Sequence, residues 1–144
     1  MKKLVAVLTL TMSMLVGSIA LASNGSMLDM EEEFVTMFWD RGNYKMFEPL
    51  ISDQMKPEFP EAAYKEFRKE VGDKCGKMTY KKFRIFQKLD DADVVQYEVK
   101  FSKDTKPYIF EFAFDVSTGK PMLANFELVT LEEAPANGAA PAAK

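Results

Sequence analysis

Residues 106–128 read KPYIFEFAFDVSTGKPMLANFEL. Tyr108, Phe110, Phe112 and Phe114 fall on every second position, and Val116 continues the series. Side chains two apart lie on one face of a strand, so the spacing predicts a strand with a strongly aromatic face. Ser117, Thr118, Gly119 and Lys120 predict a short turn, after which Met122, Ala124, Phe126 and Leu128 predict the matching face of a returning strand. Upstream, Phe83, Ile85, Gln87 and Leu89 repeat the pattern, as do Val95, Tyr97, Val99 and Phe101. The connections at 90–92 and 103–106 are short, and short connections join antiparallel neighbours. The expectation is a four-stranded antiparallel meander, with Pro107 and Pro121 at strand starts, where proline is tolerated.

The alternate positions are mixed. They comprise Lys82, Arg84, Phe86 and Lys88, then Val94, Gln96, Glu98 and Lys100, then Ile109, Glu111, Ala113 and Asp115. That face is expected to be mainly solvated, with Arg84 opposite Glu98. Phe86, Ile109, Ala113 and Leu123 supply a modest apolar patch, a candidate contact for a homodimer.

Before Met78 the apolar period is helical. Ser26 to Asp29 fits a capping box, followed by Met27, Met30, Phe34, Met37 and Phe38 at helical spacing. Gly42 closes that helix, Asn43 caps a short one with Tyr44, Met46 and Phe47, and Pro60 opens a third with Tyr64, Phe67 and Val71. Helices first and a meander second predict an α+β domain at 26–131, with the helices packed on the aromatic face. Burying one phenylalanine contributes roughly 2–3 kcal/mol, so folding alone explains the stripe. A ligand-lined cavity is the sharper alternative.

The ends carry compartment information. Lys2 and Lys3 precede the apolar run from Leu4 to Val16, and Ala20 and Ala22 offer a small-x-small cleavage pattern. This predicts a signal peptide at 1–22, cut after Ala22, and so an exported, periplasmic or extracellular protein with no stable membrane anchor after cleavage. Residues 132–144 are rich in alanine and proline and are expected to be a disordered tail.

Composition removes several chemistries. The net charge is −3, and more negative once Lys2 and Lys3 leave with the signal, which argues against nucleic acid as a partner. There is no histidine, so Ser-His and Cys-His nucleophiles and the usual zinc sets are absent. Cys75 is the single cysteine and makes no internal disulfide; it is expected to be a tolerated loop thiol, although Lys74 and Lys77 stand near it. Glu31, Glu32 and Glu33 suggest a cation site at first sight, but acids are also favoured near a helix start. No catalytic residue, cofactor or metal site is expected.

The segment FVTMFWDRGNYKMFEPLISDQMK at 34–56 resembles the opening of the nuclear transport factor 2-like superfamily. Small bacterial members show a helix, a Gly-Asp-Tyr-like turn, a short helix and a Ser-Asp-like step. Here the turn is Gly42-Asn43-Tyr44 and the step is Ser52-Asp53. Phe83, Val95, Tyr97, Phe101 and the Thr118-Gly119-Lys120 hairpin are similar to the sheet of secreted domains of unknown function in that superfamily. The resemblance implies a cystatin-like α+β cone. It also implies three classes of function: ketosteroid isomerase-like enzymes, small-ligand carriers, and modules that dimerise through their sheets.

Isomerase chemistry needs a carboxylate base facing an oxyanion hole. The inward strand positions read above hold no acid; their polar members are Gln87, Tyr97 and Tyr108. Asp40 and Asp53 could reach a pocket mouth from the helical half. The leading expectation is therefore a non-catalytic exported module, of unknown ligand, that binds a protein or envelope component as a homodimer. The alternatives are a carrier of a small apolar molecule, or an enzyme with a non-standard site. Phe34, Phe38, Tyr44, Gln87, Tyr97, Tyr108, Phe110, Phe112 and Phe114 are the candidate cavity-lining residues.

Overall fold

The computed structural model describes residues 24–132. The predicted signal at 1–22 and nearly all of the predicted tail lie outside the described residues. Within them the protein is α+β: helices come first, then a four-stranded antiparallel sheet in sequential order.

Helix α1 (Asn24–Val35) runs into a π-helical segment, Thr36–Arg41. Ser26 thus lies inside α1 and not at its start. Gly42 ends the segment with φ 63°, its N–H bonding back to the Met37 carbonyl; a residue without Cβ enters that conformation most easily. Asn43 caps α2 (Tyr44–Phe47), its side chain accepting from the Lys45 N–H at 3.2 Å. A 3-10 turn, Glu48–Leu50, follows, and then α3 (Glu61–Lys74). Tyr64 and Val71 bury the inner side of α3, and Gly76 (φ 86°) turns the chain into the sheet.

The strands are β1 (Met78–Lys88), β2 (Ala92–Phe101), β3 (Tyr108–Asp115) and β4 (Met122–Thr130). Directly paired residues share a face. Val95 pairs with Phe112, Tyr97 with Phe110 and Val99 with Tyr108, so the inner face of β2 and β3 is the one the alternation predicts.

Two strands depart from it. The register of β1 shifts between Phe83 and Ile85. An extra residue there moves every later side chain to the opposite face. Phe83 pairs with Tyr97 on the inner side, but beyond the bulge Phe86 pairs with Val95, and Ile85 and Gln87 lie outside, opposite Gln96 and Val94. Lys82, not Arg84, stands opposite Glu98. A second shift, opposite Ala113 and Phe114, puts Leu123 inside β4 beside Phe114 and Met122 outside beside Asp115. Leu123, expected on the outer patch, is fully buried.

The core lies between the inner sheet face and the helices. Phe34, Phe38, Phe47, Phe110, Phe112 and Phe114 are its largest fully buried side chains. Phe38 meets Phe112 at 5.4 Å, Phe126 at 5.2 Å and Tyr64 at 5.2 Å between ring centroids, mostly edge to face. This is the arrangement the ring quadrupole favours.

Candidate functional site

The interior aromatic stripe packs against itself. Of the nine candidate cavity-lining residues, Phe34, Phe38, Tyr44, Tyr97, Phe110, Phe112 and Phe114 are buried, and Tyr108 is half-buried. Phe34 meets Phe114 at 5.3 Å and Phe110 meets Phe112 at 4.3 Å. Gln87 sits apart from them, on the outer face opposite Val94. The Tyr44 hydroxyl donates to the Phe59 carbonyl at 2.8 Å. Tyr108 donates to Asp104 Oδ2 at 2.5 Å. Burial, and then the hydrogen bond to Asp104, push the Tyr108 phenol above its ordinary range. The two most developed hollows among the described residues touch none of the nine.

Sequence reasoning missed a pair of buried acids. Asp93 precedes Val95 by two residues and shares its face; it is fully buried opposite Phe114. Glu31 lies four residues after Met27 and three before Phe34, on the same side of α1, and is also fully buried. Its neighbours Glu32 and Glu33 are exposed.

Among the described residues, the four carboxylate oxygens of Glu31 and Asp93 have no hydrogen-bond partner if both groups are ionised. One proton resolves this, because a carboxylic acid can donate to a carboxylate. Glu31 holds it: burial first, then the hydrogen bond to Asp93 and its charge, push the Glu31 carboxyl up to about 9. Lys88 Nζ, 3.7 Å from Asp93 Oδ1, acts in the opposite direction. Nearby, the Tyr97 hydroxyl is 3.5 Å from Glu32 Oε1, and burial together with that carboxylate pushes its phenol up. An acid with a raised pKa suits proton transfer, but neither hollow is lined by Glu31, Asp93 or Tyr97.

The larger hollow is a surface groove of about 550 Å³. Trp39 and Asp40 line it from the π-helical segment, Arg68, Val71 and Gly72 from α3, and 76–81 from the turn and the first half of β1. Arg68 holds one wall. Its guanidinium stacks 4.4 Å above the Trp39 ring and donates to the Trp39 carbonyl at 2.6 Å. Lys81 Nζ pairs with Asp40 Oδ2 at 2.7 Å. Asp40 thus lines this surface groove and not the aromatic interior. Asp53 is an exposed residue paired with Lys56.

Cys75 is buried, with its sulfur 3.9 Å from the Tyr108 hydroxyl oxygen. Burial pushes the thiol up, against the opposing effects of the Tyr108 hydroxyl and then Lys74. Among the described residues no group of three or more acidic or cysteine side chains is placed to hold a metal ion. None of their helices is long and apolar enough to cross a membrane.

No protein-family model, curated protein or solved structure matches the chain.

Proposed function

We propose that this chain is an exported, non-catalytic binding module that engages a protein partner at its surface. The observation that carries the reading is the occupied interior. The rings of the stripe pack against one another between sheet and helices, and a groove of about 550 Å³ lies outside them, beside an edge strand. Ligand sites for small apolar molecules are concave and preformed inside apolar walls, whereas these rings are in contact with each other. The order of helix, Gly42-Asn43-Tyr44 turn, short helix, Ser52-Asp53 step and meander supports placing the module in the nuclear transport factor 2-like superfamily, with its cystatin-like cone. The apolar stretch before Ala22 supports export.

Native mass spectrometry of the protein purified from an exporting host tests the reading. The expected result is the bare mass of a chain that begins at Ser23. A copurified small molecule released on denaturation would overturn it in favour of a carrier, and an N-terminus still at Met1 would overturn export.

A further inference from the structure

We infer that the groove along β1 receives an extended, acidic segment of a partner polypeptide, which pairs with residues 80–83 as a fifth strand. The inference rests on the reading of the chain as a binding module and names what it binds.

Strand β1 is the first in the sheet, so among the described residues one side of its backbone has no neighbouring strand. Such an edge is a template for an added strand. Register shifts interrupt β1 between Met78 and Tyr80 and again between Phe83 and Ile85. The stretch between them, 80–83, pairs regularly with 97–100 and is the part of the edge that an extended segment can follow. The groove runs beside the start of this stretch, with α3 and Trp39 as its far wall. Tyr80 and Phe83 are each 39 % exposed.

Charge selects the occupant. In a chain with more acids than bases, β1 carries Lys81, Lys82, Arg84 and Lys88 and no acid, and Lys77 precedes it. The groove lining holds Arg68, Lys77 and Lys81 against the single carboxylate of Asp40. A second copy presenting its own β1 would set these cations against each other, which disfavours edge-to-edge self-pairing. An acidic segment gains instead. Nucleic acid would meet the same cations, but the surplus of acids elsewhere on the chain repels a long polyanion, and a nucleic acid cannot pair with a strand edge.

Fluorescence anisotropy tests this with a labelled peptide of roughly ten residues carrying Glu at alternate positions and Val between them. Binding is expected, with slowed amide exchange at 80–83. Replacing each Glu by Gln, or placing proline at the peptide's centre, should weaken binding by about tenfold. The Lys77→Gln/Lys82→Gln protein, whose altered side chains are exposed, should show a similar loss with unchanged circular dichroism. Equal affinity for the Gln peptide, for the proline peptide or for an oligonucleotide of the same charge would overturn the inference. So would no binding at all, which would leave the lysines as guards against edge aggregation. These outcomes are separate from the native mass spectrum, so the failure of one reading is distinguishable from the failure of the other.

Discussion

Replacing Glu31 by glutamine should stabilise the protein at neutral and alkaline pH, although it removes a carboxyl group from a helix. In the unfolded chain Glu31 ionises near its ordinary value of 4.5; in the folded chain it keeps its proton up to about 9. Between those values the folded state binds one more proton than the unfolded state at this site. Stability therefore falls as pH rises through the window and levels off above it. The slope is at most about 1.4 kcal/mol per pH unit, or about 3 kcal/mol between pH 4.5 and pH 7. Glutamine keeps the shape and offers its amide to Asp93, so Glu31→Gln should remove this slope. Urea unfolding of both proteins from pH 5 to pH 9 reads the effect directly. The midpoints should lie close together at pH 5 and separate with rising pH, the variant above the wild type. Parallel midpoints across the range would show that Glu31 shares no proton with Asp93 in the folded state.

Phe112→Ala removes a ring held by Phe38, Phe110 and Phe126 and should destabilise by about 3–5 kcal/mol in denaturant unfolding; a loss under about 1 kcal/mol would mean that the ring borders a void. Gly76→Ala should destabilise by at least about 1 kcal/mol, because φ is 86° and a Cβ would clash with Ser102 Oγ; a melting temperature equal to wild type would contradict that geometry. Cys75 should react with a disulfide reagent far more slowly in the native protein than after unfolding, since it is buried and its thiol is pushed up. A fast native reaction would show that the thiol is open to solvent.

The sequence revealed the sheet most clearly where strands alternate without interruption, as in β2 and β3. It failed where a bulge inserted one residue. Nothing in Phe83-Arg84-Ile85 or in Leu123-Ala124-Asn125 marks the shift, which is set by how each strand pairs with its neighbour. Gln87 and Leu123 exchanged faces for that reason. The acid pair had a detectable signal. Asp93 keeps the parity of Val95 and Tyr97, and Glu31 keeps the helical spacing of Met27 and Phe34. Charged residues are seldom fully buried, and that expectation outweighed the spacing. The groove was not visible in the sequence, because it forms where Trp39, Arg68 and Tyr80 meet from distant parts of the chain.

The two rims of the sheet are unequal. Along the start of β4, Ile51 makes a parallel bridge to Leu123 and the Ser52 N–H donates to the Leu123 carbonyl at 2.9 Å. Polymerisation through sheets requires each molecule to accept on one rim and donate on the other. Here the segment at Ile51 blocks one end of the donating rim, and the bulge beside it breaks the straight run that a growing stack would copy. A fibre would stall at its first junction, so the sheet carries its own chain terminator.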